Sequence, residues 1–178
     1  MKTLTLLSVL ASLSVCTIAQ STNTQVNTVY ADVTSIDNHV QDLIAATQDY
    51  NGSYIGLVPI GIDFVPVHLA TRKGYYDSLP LPAQLSESDA SLLIDHVNKT
   101  LSIDNPKAVN TLKSKKPLLQ PKGLDPFIKS GLQLLLSDHL SFSNEVGKRV
   151  PQDLQPEAQQ VVNVITVALQ DGIAYFSD

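Results

Sequence analysis

The sequence predicts an all-α fold, an antiparallel bundle of about five helices with a kinked or irregular second segment, and three observations carry that prediction. Apolar residues recur at spacings of three and four along most of the chain, no alternating strand pattern interleaves with them, and helix-starting and helix-stopping residues flank the stripes. Helices striped on one side bury that side most simply against one another, around one core.

The first stripe is Val33, Ile36, Val40, Leu43 and Ile44, and Asn51-Gly52 stops it. From Ser53 to Asp77 propensity and periodicity conflict. Ile55, Val58, Ile62, Val65 and Leu69 hold helical spacing, while Gly56, Pro59, Gly61 and Pro66 interrupt it. A helix from near Pro59 that kinks at Pro66 is the favoured reading, and a partly extended segment with Ile60, Ile62 and Phe64 alternating is the other.

Ser86-Glu87-Ser88-Asp89 supplies a serine cap for the stripe Ala90, Leu93, Ile94, Val97 and Leu101. Asn105-Pro106 reads as a cap followed by a first-turn proline, opening a shorter helix through Val109 and Leu112 that Pro117 ends. Asp125-Pro126 repeats that device before Leu124, Phe127, Ile128, Leu132, Leu135, Leu136 and Leu140, where Gly131 on the same face permits close approach. Pro156 opens the last helix, which carries Ala158, Val161, Val162, Ile165, Ala168, Leu169, Ile173 and Phe176 and ends almost at Asp178.

Three segments precede or form this domain: a secretory signal peptide over 1–19, a polar N-terminal arm over 20–31, and the helical domain over 32–178. Lys2, the apolar run from Leu4 to Val15 and the ending Thr17-Ile18-Ala19 are a leader pattern, too short to span a bilayer. A secreted, extracellular protein is therefore expected, with cell-wall association as a variant. Cys16 is the one cysteine, and Val15 before it is not the small residue of a lipoprotein site. Without the leader, ~160 residues remain, enough for a core that needs no disulfides. Losing Lys2 takes the net charge from −5 to −6, which excludes polyanions as natural partners. Asn51-Gly52-Ser53 and Asn98-Lys99-Thr100 are glycosylation acceptors if the host is eukaryotic, and the pattern is short enough for one of them to be chance.

Asp32-Val33 with Ile36, Val40 and Leu43, then Tyr50-Asn51-Gly52, Ser88-Asp89-Ala90 with Val97, Leu112 with Lys115-Lys116-Pro117, and the terminal stripe from Pro156 to Phe176 form a diffuse but chain-long pattern. It resembles the hydrophobic surface-binding protein A family, fungal secreted and cell-wall proteins that include ligand-binding domains of cell-wall mannoproteins. The resemblance implies a small helical bundle, no catalysis, adhesion to hydrophobic surfaces in some members and fatty-acid binding within the bundle in others. It also implies a fungal host, in which both acceptors are usable. Tyr54 to Val67 is richer in proline and glycine than the family's second helix, and no Ser/Thr-rich stalk or lipid-anchor tail follows Phe176-Ser177-Asp178, so free secretion is expected over anchoring.

The sequence nominates no catalytic residue and no cofactor. It has no Gly-x-Ser-x-Gly elbow and, without the leader, no thiol. His39, His68, His96 and His139 are scattered without metal-clamping spacing, and they read as surface or boundary residues. Lys113, Lys115, Lys116 and Lys122 form the one basic cluster; complementing helix ends is favoured over holding an acidic lipid head. The leading reading is a non-enzymatic binder of apolar material, either a fatty acid between helices or a hydrophobic surface. Its candidate lining is Leu43, Ile62, Phe64, Val97, Leu132, Leu135, Ile165 and Leu169, each of which serves equally well as ordinary core. The alternative is a recruiting or structural module whose partner is a secreted hydrolase or a wall component.

Overall fold

The computed structural model describes residues 8–177, with side chains from Thr24 onward except those of 57–59 and 62. The described residues are all-helical, with seven α-helices and two short 3-10 turns: α1 Ser8–Asp49, α2 Leu57–Ser78, α3 Glu87–Lys99, α4 Leu101–Ser114, the single turn α5 Lys116–Leu119, α6 Asp125–Gly147 and α7 Gln155–Tyr175. None of them is long and apolar enough to cross a membrane.

Most of the predicted stripes face inward; the exceptions are the stripe expected in the second segment, where Ile55, Val65 and Leu69 are exposed and Ile60, Phe64 and Val67 are buried instead, and Phe127 and Leu140 of α6, which are exposed. Val33, Ile36, Val40, Leu43 and Ile44 are buried along α1, Ala90, Leu93 and Ile94 along α3, and Val161, Ile165 and Leu169 along α7. Ser86 caps α3, its Oγ accepting from the Asp89 amide at 3.1 Å. Asn51-Gly52 ends the first hairpin arm: Gly52 has φ +91, a left-handed conformation that favours glycine, and Asn51 Oδ1 accepts from the Ser53 amide. The disputed segment is helical, running from Leu57 through Pro66 to Ser78. Tertiary burial of Ile60, Phe64 and Val67 outweighs the hydrogen bond that Pro66 forfeits.

Three expectations are corrected. The polar stretch 20–31 is no loose arm: it lies within α1, and Val26 and Val29, each 1 % exposed, carry the stripe two turns further back. Sparse apolar residues suffice when all of them fall on the buried face. The helix expected to open at Asn105-Pro106 begins at Leu101, one residue after a break at Thr100, and Pro106 sits inside it. The Asn105 side chain donates to the Leu101 carbonyl and so competes with the backbone there. Asp125 does not cap α6; Pro126 is in its first turn, but the Asp125 carboxylate instead lies 3.7 Å from Lys116 Nζ. The leader expected over 1–19 lies outside the residues with described side chains.

Contacts close five helices into a ring in the order α1–α2–α6–α7–α4 and back to α1, with α3 laid against α1, α4 and α7. Hairpin neighbours α1/α2 and α6/α7 are antiparallel. Gly61 faces Phe127, Phe64 faces Gly131, His68 meets Asp138 and Gly74 faces Phe142, so α2 and α6 run parallel, an order made possible by the long α3–α5 crossover. Close approach fixes this seam: a Cβ on Gly131 would sit 2.9 Å from the Phe64 ring. Lys73 ties α2 to α1 through the buried carboxylate of Asp32 at 2.5 Å.

Candidate functional site

One half of the ring, around Tyr50, Leu112, Leu119, Ile128 and Leu132, is filled; each of these side chains is 2 % exposed or less. Beneath α3 the axis is hollow. A partly enclosed cavity of about 110 Å³ opens there, many times the roughly 10–15 Å³ that one water needs by the same kind of measure. Helix α1 contributes Val29, Val33 and Ile36, α3 contributes Ala90, Leu93, Ile94 and Val97, and α7 contributes Ala158, Val161, Ile165 and Leu169. Leu85 and Val150, from the two inter-helix loops, line it as well. Eight valines and two alanines stand on this wall beside leucines, isoleucines and Phe142.

Of the residues nominated from sequence, Val97, Leu135, Ile165 and Leu169 line the cavity. Leu43, Phe64 and Leu132 are buried in the same core cluster but are not part of the cavity wall. The side chain of Ile62 lies outside the described residues. From the first helix the sequence reading nominated Leu43, whereas the structure places Val29, Val33 and Ile36 on the wall; Val29 fell within the segment taken for an arm.

Among the described residues no charged side chain lines the cavity; its polar side chains are Thr71, Asn105, His139 and Ser143. His139, taken from sequence for a surface or boundary residue, is placed on the wall. Its Nε2 lies 3.1 Å from Thr166 Oγ1 and 3.3 Å from the Val162 carbonyl oxygen, and Nδ1 lies 3.3 Å from Ser143 Oγ. Burial pushes it down to about 4, partly opposed by its bond to the Val162 carbonyl, so the ring is neutral at pH 7. Thr71 spends its hydroxyl proton on the Val67 carbonyl at 2.8 Å. His96 is a boundary residue: it stacks on Tyr30 with centroids 3.7 Å apart and meets Thr34 Oγ1 at 2.8 Å. Its pKa is lowered by burial, opposed by a hydrogen bond to the Tyr30 backbone.

The basic cluster is elsewhere and does structural service. Lys115 Nζ donates to the Gln48 and Tyr50 carbonyls at 2.7 and 2.8 Å, capping the end of α1, and Lys116 Nζ donates to the Tyr175 carbonyl at 2.6 Å, capping α7. Lys113 pairs with Asp171 at 2.7 Å, and Lys122 Nζ sits 3.9 Å over the Tyr54 ring. Lys115 and Lys116 thus complement the ends of helices other than their own, while Lys113, in the last turn of α4, and Lys122 are engaged by a carboxylate and an aromatic ring.

At the cavity end, Arg149 fastens the α2–α3 loop. Its guanidinium donates to the Leu79 and Leu81 carbonyls at 3.0 and 3.3 Å and pairs with Glu145 at 2.6 Å, while the Leu85 amide donates to the Arg149 carbonyl. Asn51 and Asn98, the acceptor asparagines, are both exposed. No group of three or more His, Cys, Asp or Glu is gathered as a metal site among the described residues.

Solved structures share this architecture. Ligand-binding domain 1 of the Penicillium marneffei MP1 protein, complexed with arachidonic acids, superposes with a TM-score of 0.80 at 28% identity, covering 86% of this chain and 99% of that one. Ligand-binding domain 2 of the same protein, complexed with multiple arachidonic acids, gives 0.77 at 22% identity over 83% of this chain and 92% of that one. AFMP4P in complex with palmitic acid gives 0.80 at 16% identity over 85% and 99%; at these two lower identities the likeness is one of fold. A comparison with curated proteins finds no match. The family model for hydrophobic surface binding protein A matches residues 26–148, starting at the valine that opens the buried stripe, and the chain belongs to that family.

Proposed function

We propose that this protein is a non-enzymatic carrier that holds a long-chain fatty acid or similar acyl lipid in the cavity beneath α3. The observation that carries the reading is a hollow, partly enclosed space walled by apolar side chains from several helices, without a charged group. A fold-wide match to a domain solved with arachidonic acids supports it. Each buried methylene contributes about 0.8 kcal/mol, so roughly fifteen give on the order of 12 kcal/mol, less several for lost freedom, which is consistent with micromolar or tighter binding. Native mass spectrometry of protein from its own host, with displacement of a fluorescent acyl probe, tests this. A co-purifying fatty-acid mass and displacement are expected, and the absence of both sinks it.

A second mode, adsorption to hydrophobic solids, is favoured by the α1–α2 loop, where Tyr54 and Ile55 are 73% and 85% exposed beside the exposed Leu118. Depletion from solution by hydrophobic beads should weaken in a Tyr54→Ser/Ile55→Asp variant. Equal depletion of variant and wild type would remove this loop from the mode. We propose that both activities are exercised outside the cell, on the strength of the leader pattern in residues 1–19.

A further inference from the structure

Resting on the cavity reading above, we infer that the site selects its guest by the chain and not by an anionic head, so that neutral long-chain lipids such as fatty alcohols are held at least as well as the corresponding fatty acid. A carboxylate drawn from water needs a cation or several donors to replace its hydration. Among the described residues the wall offers no Lys or Arg, and its polar side chains are one threonine, one asparagine, one histidine and one serine. His139 is neutral at pH 7 because of its burial, and both ring nitrogens already face protein partners.

Cations next to the cavity are committed as well. Arg149, between the lining residues Gly147 and Val150, is bonded to Glu145, Leu79 and Leu81; Lys148 pairs with the same Glu145 at 2.6 Å. On α2, Lys73 is shared by Asp32 and Asp77, and Arg72 donates to the Tyr76 hydroxyl while lying over the Tyr75 and Tyr76 rings. On α3, Lys99 pairs with Asp95 at 3.2 Å. The lysine cluster, Lys113 to Lys122, lines no part of the cavity and serves helix ends, Asp171 and an aromatic ring instead. An acid head therefore gains no ion pair here, whereas a hydroxyl or ester needs only the single neutral hydrogen bonds that Asn105 and Ser143 can supply.

The test is a competition on the purified, delipidated protein. Palmitic acid and hexadecanol are supplied at equal mole fraction in phosphatidylcholine vesicles at pH 7.4, and the protein-bound lipid is extracted and quantified by gas chromatography with mass spectrometry. Hexadecanol bound in equal amount or in excess is expected. An excess of palmitate would overturn the inference while leaving the carrier reading intact. Neither lipid bound would overturn the carrier reading, and the inference with it. Val161→Phe, which fills the space, should remove both lipids together; retention of palmitate alone by a folded variant would mean that the acid has a cationic subsite elsewhere and would overturn the inference.

Discussion

The ring half near the α1–α2 turn and the half beneath α3 are built from the same residue classes on the same helices, yet one is filled and the other hollow. In the filled half Leu112, Leu119, Ile128 and Leu132 meet at the axis, and Gly172 lets α7 close in: a Cβ there would sit 2.8 Å from Val109 and 2.9 Å from Leu132. In the hollow half Val29, Val33, Val67, Val161, Ala90 and Ala158 surround open space together with larger side chains such as Leu93, Leu135 and Ile165. The difference teaches that a binding space in a helical bundle is set by side-chain reach, layer by layer, more than by how apolar the stripe is.

Truncation should separate the halves most strongly. Leu132→Ala opens a void where packing is complete and should cost roughly 2–5 kcal/mol of unfolding free energy, whereas Leu135→Ala, one turn along α6 and already beside empty space, should cost at most about half as much. Urea denaturation of the lipid-free protein measures both. Equal losses would mean that the hollow half is closed in solution, and the comparison would fail.

The next largest effect belongs to His139 alone. Its folded value lies near 4 against 6.5 for the free side chain. Above pH 6.5 both folded and unfolded chains keep it neutral, so it adds no pH dependence. Between 6.5 and 4 the unfolded chain takes up a proton that the folded chain refuses. Stability therefore falls with acidification at about 1.4 kcal/mol per pH unit, to a total of about 3 kcal/mol. Asp32, Asp37 and Asp63, raised chiefly by burial, and His96, lowered chiefly by burial, titrate over acid and overlapping ranges, so the quantity to measure is the difference between wild type and His139→Gln. That difference should grow as pH drops from 6.5 to 4. A flat difference would show that water reaches the ring freely and that the wall is not apolar in effect.

Most of the fold was legible because periodicity and punctuation agree in it: Ser86 caps α3, Asn51-Gly52 ends the hairpin arm, and Gly131 permits the approach of Phe64. The errors have physical causes. Polar composition at 20–31 hid a two-residue stripe, and Pro106 suggested a helix start although the helix tolerates it in its second turn. Half of the nominated lining was legible in the same sense, since Val97, Leu135, Ile165 and Leu169 all lie on inward stripes. Whether a stripe residue meets a neighbour or a void depends on the side chain across the axis, often tens of residues away. Leu43, Phe64 and Leu132 therefore looked identical to true lining. His139 is half-buried, a boundary residue as read, but one-dimensional spacing gives no sign that it faces a cavity.

At the filled end, the cap on α1 should show a smaller effect. Lys115→Met removes two charge-assisted bonds to the Gln48 and Tyr50 carbonyls while keeping the alkyl stem. The expected cost is about 1 kcal/mol, the scale of one helix-end interaction and its hydrogen bonds, and about 2–4 °C in Tm for a chain of this size. Hydrogen exchange should localise the loss to the last turn of α1 and leave the cavity wall protected. Faster exchange in α3 would instead couple the two halves into one cooperative unit.

Tyr50 gives the finest test of how complete the filling is. The residue is 2% exposed, and its hydroxyl has no hydrogen-bond partner among the described residues. Burial raises its pKa, with Tyr54 adding to the same direction. A buried hydroxyl without a protein partner is a liability, so Tyr50→Phe should leave stability unchanged or raise it by up to about 1 kcal/mol. A loss of that size would mean that a water reaches the hydroxyl and bonds it. The filled half would then contain a hydrated site of its own, and the two halves would differ in what occupies their spaces instead of in whether spaces exist.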